Sequence, residues 1–174
     1  LSNFGLLTLK PLLILVNLDE EDIPRTAAIE AEYRERFGSR GTLVGAMCAR
    51  LEAELAELEP EEAAEFRREL GAPEGETTRV LALAQEMLGL ITFFTAGDTE
   101  CRAWPLPAGT AALEAAGRVH SDIERGFIRA EVIPWAELVE AGGFAEAKRH
   151  GRLRSEGKQY LVQDGDVVNV LFSV

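Results

Sequence analysis

Two polar side chains with hydrogen-bonding capacity, Asn17 and Glu20, follow directly on an apolar stretch of the chain. The stretch 11–16 is apolar without a break, and the residues after it are polar and acidic. A short continuous apolar run predicts a strand buried on both faces, as in a parallel sheet. Ligands bind beyond the carboxyl ends of such strands, so Asn17 and Glu20 lie where a binding site is expected. A core strand followed by an ordinary polar loop is the alternative.

The Asn17-x-x-Glu20 pair can be compared with the Asn-Lys-x-Asp sequence that follows a buried strand in guanine-binding proteins. There the aspartate accepts hydrogen bonds from N1–H and the exocyclic amine of guanine. Adenine presents an acceptor at N1, and a buried carboxylate held against that atom is a costly mismatch. Here the lysine position is Leu18 and the aspartate position is the longer Glu20. We therefore expect impaired guanine recognition, with Leu18 against a base face and the Asn17 amide serving adenine as acceptor and donor.

A second candidate is a cluster of basic residues towards the end of the chain. Within residues 148–158 the only acid is Glu156, and Arg118, Arg125 and Arg129 are expected on the same domain. Clustered cations of this kind predict contact with RNA phosphates, and a solvated surface is the alternative. The cluster consists of Lys148, Arg149, His150, Arg152, Arg154 and Lys158.

Several catalytic motifs are absent from the sequence. It has no Gly-x-x-x-x-Gly-Lys-Ser/Thr phosphate-binding loop and no Gly-x-Ser-x-Gly nucleophile elbow. His120 and His150 have no obvious nucleophile partner in the sequence, and Cys48 and Cys101 have neither zinc spacing nor a disulfide framework. We therefore expect no catalytic residue and no metal ligand in this chain, and we expect both cysteines to be buried in a reducing compartment.

The first half of the chain supplies the elements that would position this candidate site. After the first strand, apolar residues three and four apart over 25–37 predict a helix. Residues 41–47 predict a second buried strand, followed by Cys48 and Ala49 and an acidic helical run. Strand, helix, strand, helix is the pattern of a parallel sheet. Neighbouring strand ends should therefore bring Asn17 close to Cys48 and Ala49.

The sequence pattern changes after Gly89, where short alternating segments replace the helical ones. The alternation and the turn residues predict an α+β arrangement, and we place a domain boundary here, with domains at 1–89 and 90–174. The pattern predicts a hairpin over 90–106, a helix over 110–120, a short helix over 135–139, and strands over 127–133, 158–162 and 167–172.

Composition excludes several functional classes. No apolar run approaches the roughly 20 residues that span a bilayer, and no signal-peptide pattern is present, so we expect no membrane partner. The net charge of −12 argues against non-specific nucleic-acid binding by the whole chain, DNA included. The acidity is uneven, because residues 1–91 hold 18 acids and 9 bases whereas residues 92–174 hold 12 and 9. A local basic face therefore remains compatible with the composition.

The motifs together resemble a known family. The sequence AGRVHSD at 116–122, followed by GFIRAEV at 126–132, resembles the core of TGS domains, which are small ubiquitin-like, β-grasp modules. The chain as a whole is similar, in order, to the YchF subfamily of Obg-like ATPases. The motifs that carry this similarity are LTLKP at 7–11, Asn-x-x-Glu at 17–20, EAEL at 52–55, FFTAG at 93–97, RAW at 102–104 and DGDVVNVLF at 164–172.

This resemblance implies an architecture and an activity. Residues 1–89 would be the last part of an α/β P-loop G domain, built of parallel strands with helices, and residues 90–174 an α+β TGS domain. The P-loop, the switch regions and a helical arm would lie outside these 174 residues, so that the chain would be a C-terminal portion. The implied activity is hydrolysis of ATP with Mg²⁺, in preference to GTP, by a cytoplasmic protein that associates with ribosomes and RNA.

The family's functional residues can be carried over one by one. Asn17 and Leu18 would contact adenine, Glu20 would take the position of the lost aspartate, and the backbone of Cys48 and Ala49 would border the base. RNA or ribosome contact would fall to Lys148, Arg149, Arg152, Arg154 and Lys158. We expect no stable ATP binding and no hydrolysis by the chain alone, because positioning phosphates and Mg²⁺ requires the P-loop. Two other functions stay open, a non-enzymatic RNA or ribosome adaptor and a guanine-specific GTPase.

Overall fold

The computed structural model of the protein describes residues 6–39, 41–97 and 100–173. Its contacts divide the chain into two compact units, Leu1–Leu88 and Gly89–Val174. We refer to these as the N-terminal unit and the C-terminal unit, and each contains its own buried apolar residues. Among the described residues, no helix combines the length and the apolar composition required to cross a membrane.

The N-terminal unit is built on two parallel strands. Strand β1 (Leu12–Asn17) pairs with β2 (Thr42–Met47), with Asn17 opposite Met47 at their carboxyl ends. A 3₁₀ segment, Glu20–Arg25, and helix α1 (Thr26–Phe37) connect the two strands. The two continuous apolar runs therefore do form neighbouring parallel strands, joined by a helical crossover.

Three further helices complete the N-terminal unit: α2 (Ala49–Leu55), α3 (Pro60–Leu70) and α4 (Glu76–Met87). Helix α3 begins with a proline at its first position and is followed by Gly71 in the left-handed conformation, φ 63°, the usual pair of start and stop residues. The buried cluster of this unit consists of Leu18, Ile23, Ala46, Cys48, Leu51 and Leu55.

The C-terminal unit contains a five-stranded mixed sheet with the strand order β4-β3-β7-β5-β6. Strands β3 and β4 form the predicted antiparallel hairpin, and its turn residues Asp98 and Thr99 lie outside the described residues. Strand β7 follows the others in sequence yet lies at the centre of the sheet, parallel to β3 and antiparallel to β5. The strands are β3 (Leu90–Ala96), β4 (Cys101–Pro107), β5 (Phe127–Pro134), β6 (Arg154–Glu156) and β7 (Asp166–Phe172).

Both faces of this sheet carry buried apolar residues. Val132 and Val168 belong to the larger cluster, together with residues of α5, whereas the adjacent Ile133 and Val167 belong to a second cluster with residues of α7 and α8. Successive side chains of a strand point to opposite faces, which explains this division. The helices are α5 (Ala112–Val119), α6 (Ser121–Arg125), α7 (Trp135–Ala141) and α8 (Phe144–Arg149).

The strand predicted at 158–162 is wrong. This segment pairs with the chain leading into α5, since the Ala112 amide donates to the Tyr160 carbonyl (2.8 Å) and the Val162 amide donates to the Thr110 carbonyl (3.0 Å). The alternating apolar residues of the segment reflect packing into the larger cluster, and the partner of β5 is the shorter β6. Helices α6 and α8 form in segments for which the sequence pattern predicts no helix.

Candidate functional site

Asn17 ties together the carboxyl ends of β1 and β2. Its Oδ1 accepts a hydrogen bond from the Ala49 amide at 3.1 Å, and the next amide along, that of Leu18, donates to the Met47 carbonyl at 2.9 Å. Ala49 is the first residue of α2, so one side chain fixes the end of β1 to the start of the helix that follows β2. The predicted proximity of Asn17 to Ala49 is confirmed.

An open depression of about 500 Å³ lies at this edge of the sheet. It brings together four of the five residues predicted to contact a nucleotide, while the amide of the fifth, Ala49, is occupied by Asn17. The lining residues are Asn17, Leu18, Asp19, Glu20, Glu21, Cys48 and Arg50.

Leu18 and Cys48 contribute little surface to this depression. Each side chain is only 6% exposed, and both belong to the buried cluster of the N-terminal unit with Ile23 and Leu51. Removing apolar surface from water stabilises this placement. The expectation that the Leu18 side chain lies open against a base face therefore needs revision, because most of that side chain is committed to the core.

Asp19, Glu21 and Arg50 also line the depression although they were not predicted as contacts, and Arg50 is the cation among them. Its Nε donates to Glu54 Oε1 at 3.0 Å and lies 3.7 Å from Glu20 Oε1. The hydrogen bond to Glu54, and then the negative charges of Glu54 and Glu20, raise the pKa of the Arg50 guanidinium above its ordinary value. The feature of the sequence that indicates this role is the four-residue spacing from Arg50 to Glu54, shortly after Cys48, because it allows an ion pair on one helix face.

The polar groups at this edge have distinct capacities. The Asn17 amide nitrogen makes no hydrogen bond within the described part of the chain, and its oxygen keeps a second lone pair beside the one used by Ala49. Asn17 therefore offers a donor and an acceptor to a ligand, whereas the carboxylate of Glu20 faces Arg50. Across residues 6–39, 41–97 and 100–173, no group of histidine, cysteine, aspartate or glutamate is arranged to hold a metal ion.

The fold supplies acids to the basic cluster that the local sequence does not contain. Lys148 Nζ lies 3.1 Å from Glu131 Oε1, and Arg152 Nη1 lies 2.6 Å from Glu140 Oε2. The hydrogen bond from Lys148 holds the pKa of the Glu131 carboxyl below its ordinary value. The positive charge of residues 148–158 is therefore partly compensated from other elements.

Arg154 is held in a polar cluster within the C-terminal unit. Its Nη2 lies 3.4 Å from Oδ1 of the buried Asp166, whose Oδ2 accepts hydrogen bonds from the Tyr160 hydroxyl (2.7 Å) and the Gln163 amide (2.9 Å). Burial, followed by the hydrogen bond to Asp166, raises the pKa of Tyr160 to about 12. Arg154 thus helps to fix the segment between β6 and β7 and is less available to a ligand.

The remaining predicted cations are more accessible. Arg149 is exposed and pairs with Glu146 on its own helix. Lys158, Arg118 and Arg129 are exposed and form no ion pair with any residue that the structure describes. All cations of the basic cluster are exposed, and Arg154 differs from the others in its contact with the buried Asp166.

Two other side chains that the sequence highlighted have structural settings. His120 Nδ1 accepts a hydrogen bond from the Asp122 amide at 3.1 Å and caps the start of α6. Cys48 is buried as predicted, but the prediction that Cys101 is buried is wrong, because Cys101 is exposed on the edge strand β4.

Comparison with known proteins identifies relatives for the chain. The family model YchF-GTPase_C, described as "Protein of unknown function (DUF933)", matches residues 90–173. A Bacillus subtilis protein named "Ribosome-binding ATPase YchF" is 44% identical over 97% of this chain and 47% of its own length. A protein of the same name from Escherichia coli O157:H7 is 43% identical over 97% of this chain and 46% of its own length.

A solved structure gives the same result at the level of the fold. The Schizosaccharomyces pombe YchF GTPase matches with a TM-score of 0.85 and 28% identity, covering 98% of this chain and 46% of that one. The chain thus spans about half the length of the relatives it matches. The sequence and structural comparisons together establish that the chain belongs to the YchF family.

Proposed function

We propose that the chain is the C-terminal part of a ribosome-associated ATPase and forms the base-binding side of its nucleotide site. The observation that carries this proposal is the hydrogen bond from the Ala49 amide to Asn17, which joins two parallel strand ends beside an open depression. Ligand sites of open α/β sheets lie at such ends. The relatives named ribosome-binding ATPases support the same reading.

The edge of the depression favours adenine over guanine. A guanine-specific carboxylate must accept two hydrogen bonds from the base, and here the longer Glu20 takes the place of the aspartate, 3.7 Å from Arg50 Nε. Asn17 presents a free amide donor and a residual acceptor lone pair, which match the acceptor and the amine of adenine. One relative is titled a GTPase and others are named ATPases, so the choice of base is a direct test of this argument.

The residues present fit the base of ATP and not its phosphates. Asn17, Leu18, Glu20 and the backbone of Cys48 and Ala49 would surround the base, with Leu18 supplying only the small exposed part of its side chain. The sequence contains no P-loop, and bound Mg²⁺ would supply charge stabilisation at the phosphates. The isolated 174-residue chain is therefore expected to show no ATP turnover, and measurable turnover by it would contradict this assignment.

The C-terminal unit is assigned by the same proposal to the TGS class. A hairpin, then a helix, and a last strand inserted between the hairpin and the third strand support a β-grasp assignment. Its exposed cations, among them Lys148, Arg149, Arg152 and Lys158, would contact RNA on the ribosome. Exposed ion pairs such as Lys148 with Glu131 are weak enough to exchange a carboxylate for a phosphate.

The nucleotide site is tested in the full-length protein with fluorescent ATP and GTP analogues. Asn17→Ala is expected to weaken ATP binding about tenfold, because it removes the uncharged hydrogen-bonding groups proposed to contact the base. It also removes the hydrogen bond from the Ala49 amide that ties the end of β1 to α2. Glu20→Asp restores the aspartate of Asn-Lys-x-Asp without placing a lysine at the buried Leu18, and it is expected to shift preference towards GTP. Glu32→Asp, at an exposed residue of α1 outside the depression, is the control and should change neither affinity. A strong preference of the unaltered protein for GTP would overturn the adenine assignment.

Ribosome contact is tested separately by co-sedimentation. The charge reversals R149E and K158E are expected to reduce the bound fraction and to make binding less dependent on salt, with ATP affinity unchanged. Arg102→Glu, a charge reversal at an exposed arginine of the edge strand β4 outside the basic cluster, is the matched control. If the charge-reversal variants lose ribosome binding and the unaltered protein binds no nucleotide, the non-enzymatic adaptor is favoured.

A further inference from the structure

The N-terminal unit has an open groove between α2 and α3 that the nucleotide and ribosome proposals do not use. We call it the acidic groove, and its volume is about 470 Å³. Two apolar side chains lie among four carboxylates in it. The lining residues are Glu54, Leu58, Glu62, Glu65, Phe66 and Glu69.

The apolar residues of the acidic groove are not needed for the core of the unit. Helix α3 packs on the buried cluster through Ala63 and Leu70, whereas Phe66, which lies beside that packed face, belongs neither to the cluster nor to the residues packed against it. Phe66 remains 41% exposed and Leu58 40% exposed. Phe66 lies four residues after Glu62 and three before Glu69, so these three side chains form one stripe along the helix.

The negative charge of the acidic groove is largely uncompensated. Residues 51–70 hold eight glutamates and two arginines, and one of these arginines, Arg67, pairs with Glu52 at 2.6 Å on the packed side of α3. Glu62, Glu65 and Glu69 form no ion pair with the residues that the structure describes. By contrast, glutamates on the packed faces of the unit, such as Glu52, are bound to arginines.

We propose that the acidic groove docks a basic polypeptide segment of another protein, with apolar residues on Leu58 and Phe66 and lysines or arginines against the glutamates. Charge complementarity selects this occupant. A neutral apolar segment would remove the glutamates from water without giving them partners, and the phosphates of a nucleic acid would be repelled. The spacing of Glu62, Phe66 and Glu69 suits an amphipathic helix whose own apolar residues recur every three or four positions.

The test uses the full-length protein and a fluorescein-labelled helical peptide of about 14 residues, with leucines at three- and four-residue spacing and lysines elsewhere. Fluorescence anisotropy gives the affinity. The double variant E62K/E69K is expected to bind about tenfold more weakly. The double variant E32K/E35K changes the charge of α1 by the same amount, on exposed residues outside the groove, and is expected to stay within about twofold. Circular dichroism checks that both variants are folded.

The apolar half of the proposal has its own variant. Phe66→Ala is expected to weaken binding about fivefold, as is replacement of the peptide leucines by serine. Equal losses in E62K/E69K and E32K/E35K would reduce the effect to net charge and overturn the proposal. It would also be overturned if the unaltered protein did not bind the peptide, if single-stranded RNA bound the groove, or if the protein formed a dimer that Phe66→Ala abolished.

Discussion

The two units stabilise their sheets by different means. In the N-terminal unit, charged side chains bind the backbone of β2 at Ala46, where its amide donates to Glu30 Oε2 (3.2 Å) and its carbonyl accepts from Arg79 Nη2 (2.6 Å). Both groups point away from β1, because alternate residues of a strand bond to opposite sides. Glu30 and Arg79 thus occupy the positions at Ala46 that a further strand would use.

A connected set of ion pairs supports this arrangement. Arg79 also binds Glu76, and the hydrogen bonds to Glu76 and Glu30 raise the pKa of the guanidinium against the effect of burial. Glu52 forms a second such group with two hydrogen bonds from Arg67 and one from Thr77. The N-terminal unit therefore depends on charged groups that act over long sequence distances.

The C-terminal unit depends instead on apolar packing. Phe93 and Leu106 are completely buried on the α5 side of the sheet, and the ring of Phe93 stacks on Trp104 with centroids 6.5 Å apart. The difference predicts opposite sensitivities. Removal of charge and acidification should weaken the N-terminal unit, whereas cavities should weaken the C-terminal unit. Trp104 and Trp135 both lie in the C-terminal unit, so tryptophan fluorescence reports its unfolding while circular dichroism reports both units.

The largest expected effect is that of Phe93→Ala. Loss of a fully buried aromatic side chain and the cavity that remains should lower the free energy of unfolding of the C-terminal unit by about 3–5 kcal/mol. Urea denaturation followed by tryptophan fluorescence measures this change. Phe66→Ala, at an exposed phenylalanine of the other unit, is the control and should leave the fluorescence transition in place. A comparable shift for both variants would contradict the separation of the two units.

Arg79→Met should have the next largest effect. It leaves Glu30 and Glu76 without their cation and the Ala46 carbonyl without its donor, and breaking such a buried pair costs about 3–5 kcal/mol. Because 34% of the Arg79 side chain is exposed, we expect a smaller loss of about 2–3 kcal/mol. The transition seen by circular dichroism should shift while the fluorescence transition does not. Arg50→Met, at a far more exposed arginine, is the control and should leave the transition in place.

Gly165→Ala should destabilise the C-terminal unit by about 2 kcal/mol. Gly165 has φ +82°, and an added Cβ would lie 2.9 Å from Cδ1 of Trp135, so both backbone and packing oppose the change. The Gly165 amide also donates to the Thr92 carbonyl at 2.8 Å. Gly157→Ala is the matched control, because nothing lies within 4 Å of its added Cβ. The two variants should differ clearly in thermal unfolding. Equal transition temperatures would show that neither the positive φ of Gly165 nor the contact with Trp135 opposes the added Cβ.

The smallest expected effect is in the pH dependence of Glu52. The hydrogen bond from Arg67 outweighs burial and holds the pKa of Glu52 below its ordinary value. A carboxyl with a lowered pKa in the folded state adds stability that is complete above its unfolded pKa, about 4.3, and is lost as the pH falls through the folded value. Glu52→Gln should therefore flatten the loss of stability of the N-terminal unit between about pH 5 and 3. An unchanged slope in this variant would show that Glu52 is not responsible.

The sequence predicts those features of the fold that depend on local pattern. Continuous apolar runs identify β1 and β2, and their polar ends predict that Asn17 meets Ala49. The same reasoning fails at 158–162, where buried side chains alternate as in a strand but the backbone bonds to the start of α5. Apolar periodicity reports burial, and burial alone does not identify the hydrogen-bonding partner.

The candidate sites are less predictable because their charges pair across long sequence distances. Arg79 and Glu30 are 49 residues apart, and Lys148 and Glu131 are 17 apart. A count of acids within the basic cluster therefore overstates its free positive charge. Arg154 is the clearest case, since its partner Asp166 is buried and belongs to another strand of the sheet, β7.

The central position of β7 has a consequence for how the protein is made. The hairpin of β3 and β4 and the pair of β5 and β6 are synthesised before β7, yet in the sheet only β7 lies between them. During translation the two halves of the sheet are therefore separate pieces with unpaired inner edges until β7 has been synthesised and pairs with both. A premature stop codon before residue 166 would release a chain with two exposed edges, which favours aggregation and degradation.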